Sequence, residues 1–177
     1  AEFGFRGFIG AVNAVTVDST GDTKDAYGRW RNGGPKTYTL TAGEEHLELS
    51  SKNLGSADVT LVAAWLTTSA GGALTEVNVA FNQIGSDGGI ALRDALKTSN
   101  LKFLAIGMMY TSKGGTVIAG SQLTTGVPLS AGGRLGELVS GPNSNSNVKL
   151  RWDDDGKESS WMKLHSLDGE PLKLPLQ

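Results

Sequence analysis

The feature that most constrains the fold is an internal repeat in the middle of the chain. The stretch beginning Leu47-Glu48-Leu49 aligns, at an offset of 30 residues, with the stretch beginning Val77-Asn78-Val79. In both stretches an alternating, β-like segment is followed by a glycine, Gly55 or Gly85, and then by apolar residues at helical spacing. A third start at Leu101 breaks down in its second half. Self-similarity at this period predicts stacked strand–helix units, because each unit is too small to bury its apolar face alone.

The segment from Leu74 to Leu101, which opens LTEVNVAFNQIGSDGGIALRDAL, resembles one leucine-rich repeat of the ribonuclease-inhibitor-like kind. The resemblance implies that Asn82 hydrogen-bonds the backbone where the chain turns from strand to helix. The first repeat has Lys52 at the equivalent place and the third repeat is truncated, so the ladder of asparagines is broken. The expected fold class is α/β: a short leucine-rich-repeat solenoid of two to three strand–helix repeats, capped on each side by another small unit.

Strand patterns flank this segment. Towards the carboxyl end, residues 136–164 alternate apolar and polar side chains around Asp155-Gly156, a strong hairpin signal. This stretch is similar to small SH3-like or Tudor-like barrels, and a fainter echo around Trp30 and Tyr38 makes the amino-terminal segment a degenerate copy. We therefore predict three parts, with small antiparallel β units on either side: a degenerate SH3-like β unit at 1–43, the leucine-rich-repeat segment at 44–112 and an SH3-like β unit at 113–177.

Composition narrows the classes of partner. The chain has 16 basic and 18 acidic residues, a formal net charge of −2, and no basic block that would favour binding to nucleic acid. It has no cysteine, which excludes disulfides and thiolate metal sites. The longest apolar run, Val59 to Leu66, is far shorter than the ~20 residues of a membrane-spanning helix. The expected partners are proteins of unknown identity, without nucleic acid and without membrane insertion.

No pattern in the sequence predicts catalysis. The two imidazoles, His46 and His165, are isolated, and neither follows a nucleophile motif. The run Asp153-Asp154-Asp155-Gly156 has the wrong spacing for a calcium loop and predicts a hairpin turn, and the stretch from Asp18 to Asp22 also predicts a turn. The chain is expected to have no cofactor, no metal and no catalytic residue.

A leucine-rich repeat presents the residues between its leucine-type positions on a concave face. The resemblance therefore implies a protein-binding set of five residues: Glu48, Ser50, Asn78, Phe81 and Met108. Phe81 and Met108 are one repeat apart at equivalent places, so they could form an apolar strip for a protein contact. The alternative is that a flanking unit folds over this face and buries both.

The expected function is that of a non-enzymatic protein–protein interaction or scaffold protein, a peripheral subunit of a larger complex. Repeats of this kind beside SH3-like units resemble modules of algal and protist proteins, which implies an organellar or photosynthetic setting. A first alternative is a reader of a peptide or modified residue that uses Trp152 and Trp161 of the carboxyl-terminal barrel. A second, ranked last, is a hydrolase that uses a pair of carboxylates.

The compartment depends on how Ala1 arose. It is either a mature end left by removal of a targeting segment, which we slightly favour, or a scar of an expression vector. An intracellular location is favoured, and an organelle is the setting if a targeting segment has been removed.

Overall fold

The computed structural model of the chain describes residues 13–111, 117–119, 123–143 and 147–176. They form two compact units, one of Ala1–Ala105 with Lys173–Gln177 and one of Ile106–Leu172. Residues 1–12 of the predicted amino-terminal β unit lie outside the described part. Within the described residues, no helix is long and apolar enough to span a membrane.

The first unit opens with a two-stranded antiparallel sheet. Strands β1 (Ala14–Asp18) and β2 (Thr37–Thr41) pair in register from Ala14↔Thr41 to Asp18↔Thr37. The alternation of β2 buries Tyr38 and Leu40 and leaves Thr37 and Thr39 exposed. The long connection at 19–36 emerges from the end of this hairpin.

Three parallel strands and two helices follow. In chain order they are β3 (His46–Glu48), α1 (Ser56–Leu66), β4 (Glu76–Asn78), α2 (Gly85–Leu96) and β5 (Phe103–Thr111). Strand β4 lies between β3 and the beginning of β5 and is parallel to both. Strand β11 (Gly169–Pro175) lies beside β5.

The two helices pack closely because a glycine faces the contact. A Cβ added at Gly88 of α2 would lie 3.2 Å from the Cβ of Val59 in α1, and the Gly88 N–H donates to Ser56 Oγ at 3.0 Å. Gly85, the first residue of α2, has φ +61°, a conformation that glycine adopts without strain. The hydrophobic core of this unit combines side chains from β2, β3, α1, β4 and α2. Its most buried members include Leu40, Leu54, Val59, Val62, Trp65, Leu74 and Val77.

The second unit is an antiparallel β structure. The end of β5 pairs with β6 (Val117–Ala119). Strands β7 (Pro128–Ala131), β8 (Arg134–Ser140), β9 (Asn147–Trp152) and β10 (Met162–Lys163) form one sheet in the order β10-β9-β8-β7. A 3-10 helix at Leu164–Ser166 precedes β11.

The predicted hairpin after β9 is confirmed. Val148 and Leu150 are fully buried, as the alternation of the strand requires, and Arg151 pairs with Glu158 across the turn. Gly156 has φ +67°, which explains why the turn carries a glycine.

The leucine-rich-repeat recognition and the α/β solenoid class are wrong. The described part of the chain is mainly strand in curled sheets, with two α-helices and no solenoid of strand–helix repeats. The physical reason lies in β5, which runs for nine residues and then pairs antiparallel with β6, so no helix follows it. Asn82 does bond the backbone at 52, 54 and 49, but this contact joins two neighbouring loops and does not by itself make a solenoid.

Whether the flanks are SH3-like stays a prediction, and the described strands close no barrel on either side. In the described residues the amino-terminal segment is a two-stranded sheet with a long connection, and two strands cannot close a barrel. The carboxyl-terminal sheet is an open path of four strands that curls as a half-barrel. Alternation and turn residues predicted β8, β9 and β10 but not β7 or β11, and strand closure depends on long-range pairing that these local patterns do not encode.

Candidate functional site

The connection between β1 and β2 folds into a second, smaller hairpin, which we call the tip hairpin and define as residues 23–31. Lys24 and Trp30 pair as an antiparallel bridge, and the Arg31 N–H donates to the Thr23 carbonyl at 3.0 Å. At its end the Asp25 N–H donates to the Arg29 carbonyl at 2.8 Å. Gly28 has φ +77°, so the turn needs a residue that tolerates the left-handed region.

A buried carboxylate holds the base of the tip hairpin. Asp22 is 7% exposed and accepts backbone N–H groups from Thr23 at 2.8 Å, Asn32 at 3.0 Å and Gly34 at 2.7 Å. Burial raises the pKa of Asp22, but the backbone N–H donors, Gly34 first, outweigh it and hold the pKa below its ordinary value. The charged form is therefore the one that organises this loop.

Two further side chains tie the base to the rest of the first unit. Asn53 Nδ2 donates to the carbonyls of Asn32 at 3.0 Å and Gly34 at 2.7 Å. Asp58, in the first turn of α1, accepts from both the N–H and the hydroxyl of Thr20, at 2.8 and 2.7 Å. These bonds anchor both ends of the connection to the first unit.

Asp58 also links the loop to the core. It is 4% exposed, accepts the Gly55 N–H at 2.8 Å at the start of α1, and accepts the buried Tyr38 hydroxyl at 3.1 Å. Burial raises the pKa of Tyr38 above its ordinary value, and the negative charge of Asp58 raises it further. The phenol therefore stays protonated and acts as a donor.

The outer surface of the tip hairpin combines aromatic rings with cations. Tyr27 is 83% exposed and Trp30 is 43% exposed. Together with Trp161, which is 47% exposed, they are the most exposed aromatic side chains among the described residues. The Arg29 guanidinium lies 5.2 Å from the centre of the Tyr27 ring, and the Lys24 ammonium lies 4.8 Å from the Trp30 ring. The Trp30 ring lies against Gly34, where an added Cβ would be 3.2 Å from Cδ1. Tyrosine, tryptophan and arginine are the residue types that dominate binding energy at protein interfaces.

The structure brings three of the five residues expected to bind protein into one hydrogen-bonded group. Glu48 Oε2 accepts from Asn78 Nδ2 at 2.8 Å, and Glu48 Oε1 accepts the Ser50 N–H at 2.8 Å. Asn78 is 6% exposed and its own Oδ1 accepts the Ala80 N–H, so this side chain is used internally. Glu48 is exposed and Ser50 is half-buried.

The other two residues lie in different units. Phe81, in the first unit, is half-buried and has φ +59°. Met108, in the second unit, is half-buried within β5. The binding role of all five residues stays a prediction.

The aromatic faces of the second unit are covered by its own cations. The Arg134 guanidinium lies 4.4 Å from the centre of the Trp152 ring and forms hydrogen bonds with Asp154 at 2.6 and 2.7 Å. The Lys149 ammonium lies 5.4 Å from the Trp161 ring. A modified cationic residue would have to displace these groups, so the geometry does not favour the reader hypothesis.

Asp168 organises a turn of the second unit through its hydrogen bonds. Asp168 accepts the Ser130 hydroxyl and the N–H groups of Gly132 and Gly133, both at 2.8 Å. The Ser130 hydroxyl, followed by the Gly133 N–H, lowers the pKa of Asp168. His46 and His165 are both exposed, and among the described residues no three acidic or imidazole side chains cluster as a metal site.

Reasoning from the sequence missed the tip hairpin. The signal was present as aromatic and basic residues interleaved in a turn, Tyr27-Gly28-Arg29-Trp30-Arg31, which we interpreted as part of a barrel. Their exposure could not be read from the sequence, since the same residue types fill small cores. Comparisons of the chain with protein-family models, with curated proteins and with solved structures found no match.

Proposed function

We propose that this chain is a non-catalytic protein-binding module that contacts its partner through the tip hairpin. The observation that carries the proposal is the exposure of Tyr27 and Trp30 on a loop fixed from below by Asp22, Asn53 and Asp58. A loop already held in its binding conformation loses little entropy when a partner binds. A subunit role in a larger complex, as a scaffold component, is consistent with such a surface.

The state of two hydrogen-bonded acids, Asp22 and Asp168, supports a non-enzymatic role. A general acid or base at neutral pH needs a pKa near 7, which for an aspartate means a raised value. Asp22 and Asp168 have lowered pKa values, and their oxygens are occupied by backbone N–H groups. These two carboxylates organise loops and are not poised for proton transfer.

The test is a quantitative capture experiment from an extract of the cells that make this protein. The wild-type chain is compared with Tyr27→Ala and with the double variant Tyr27→Ala/Trp30→Ala. Truncation of a residue that dominates an interface costs at least about 2 kcal/mol, so we expect roughly 30-fold weaker retention of the specific partner.

The matched control is Ile90→Ala, which removes an apolar side chain of 48% exposure from α2 without touching the tip hairpin. It should retain the partner as the wild-type chain does. Equal retention by all four proteins would show that the tip hairpin is not the binding surface. Because Tyr27 is so exposed, Tyr27→Ala should unfold at the wild-type temperature, which separates lost binding from lost folding.

A further inference from the structure

The charge of the tip hairpin is opposite to that of the chain. The whole chain has a formal net charge of −2, whereas the tip hairpin carries Lys24, Arg29 and Arg31 against one acid, Asp25. The nearest other acid, Asp22, is buried under backbone N–H groups. The exposed aromatic residues are therefore presented in a locally positive environment.

Among the described residues, two of the three cations are outside salt bridges, and one of these two, Lys24, lies over the Trp30 ring. Arg29 is engaged, since both its Nε and its Nη2 lie 3.0 Å from Asp25 Oδ2. Among the described residues, neither Lys24 nor Arg31 takes part in a salt bridge. Arg31 is exposed and directly follows Trp30 in the tip hairpin.

Resting on the proposed function, we infer that the partner presents an acidic protein segment to the tip hairpin. In this arrangement Asp or Glu side chains of the partner meet Arg31 and Lys24, and an apolar side chain of the partner packs on the Tyr27 ring. A guanidinium donates two parallel hydrogen bonds to a carboxylate, which gives both affinity and orientation. Opposite charges on the two surfaces also speed the encounter.

A nucleic acid fits the same surface less well. Binding to a phosphate backbone draws its affinity from many lysine and arginine contacts along the strand. The tip hairpin offers only two cations that are outside salt bridges, on a chain of negative net charge, whereas a short acidic segment needs no more than that.

The inference is tested by selecting binders from a random peptide library with the immobilised full chain. Selected peptides should be enriched in Asp and Glu next to aromatic or aliphatic residues. The best of them, labelled with a fluorophore, should bind about 10-fold more weakly to Arg31→Glu, and also more weakly when salt is raised from about 50 to about 200 mM. Lys102→Glu makes the same kind of charge change at an exposed position outside the tip hairpin and should bind as the wild-type chain does.

Three results would overturn the inference: a selection without acidic enrichment, selected peptides that bind Arg31→Glu as well as the wild-type chain, or displacement of the peptide by an equal concentration of oligouridine. If any of these occurs while Tyr27→Ala still loses its partner in the capture experiment, the acidic partner is wrong and the proposed function stands. If the capture experiment shows no dependence on Tyr27 and Trp30, the proposed function itself falls.

Discussion

Removal of the buried Asp58 carboxylate should destabilise the first unit more than any other single change to an acid in it. Asp58 accepts four hydrogen bonds, from the Thr20 N–H, the Thr20 hydroxyl, the Gly55 N–H and the Tyr38 hydroxyl. In Asp58→Ala the donors of Gly55 and Tyr38 stay buried without an acceptor, at about 1–3 kcal/mol each. With the lost charge-assisted bonds to Thr20, we expect a total loss of at least about 3 kcal/mol.

The assay is urea unfolding followed by tryptophan fluorescence. Trp65, 1% exposed in α1, reports on the core of this unit. In a parallel thermal unfolding experiment, about 2–4 °C per kcal/mol for a chain of this size gives an expected fall in melting temperature of at least about 6 °C. Asp58→Asn keeps the volume and one acceptor oxygen, and the Tyr38 hydroxyl can rotate to accept from the new amide, so we expect only about 1–2 kcal/mol.

Asp18→Ala is the matched control. Asp18 is an exposed aspartate that accepts the Thr37 hydroxyl at 2.6 Å, and its loss should cost within about 0.5 kcal/mol. A loss of less than about 1 kcal/mol for Asp58→Ala would refute the reasoning, since a buried acceptor of four bonds cannot be removed so cheaply. The same conclusion would follow if Asp58→Ala and Asp18→Ala unfolded at the same urea concentration.

Three further predictions concern the hydrogen-bonded side chains of Asp22, Asn82 and Asp168. Because the folded-state pKa of Asp22 is depressed, the stability that Asp22 contributes is present above the unfolded pKa of about 3.9 and is lost as pH falls through the folded pKa. Asp22→Asn should therefore flatten the acid side of a plot of unfolding free energy against pH. An unchanged slope would contradict this. Asn82→Ala removes an amide that accepts two N–H groups and donates to the Leu49 carbonyl, so urea unfolding should show a loss of about 2–4 kcal/mol, while a loss below about 1 kcal/mol would mean that water replaces the amide. Asp168→Ala should destabilise the second unit by about 2–3 kcal/mol in urea unfolding, since three donors lose their acceptor, and Ser130→Ala should cost less because it removes only one of those donors.

Local features of the fold could be predicted because their causes are local. The strands at Leu47 and Val77 and the glycine-led starts of both helices follow from the period of apolar residues. The turn at Asp155-Gly156 follows from the preference of glycine for positive φ. Each of these requires only neighbouring residues, and each was found where it was expected.

The course of the chain after β5 and the candidate site could not be predicted in the same way. Whether β5 leads into a third helix or pairs with β6 depends on contacts that the period of its apolar residues does not contain. The tip hairpin depends on Asp22 and also on Asn53 and Asp58, which lie about 30 residues further along the chain and reach it only in the folded unit.

The sequence by itself therefore determined the strands and helix starts of the central segment and the turn at Gly156, because hydrophobic period and glycine conformation act over a few residues. Only the tertiary structure decided that two strand–helix units end in an antiparallel sheet, and that Tyr27 and Trp30 face outwards while Tyr38 and Trp65 are buried. The same aromatic side chain gains free energy in a core or at an interface, so its fate is set by which surfaces the folded chain leaves uncovered.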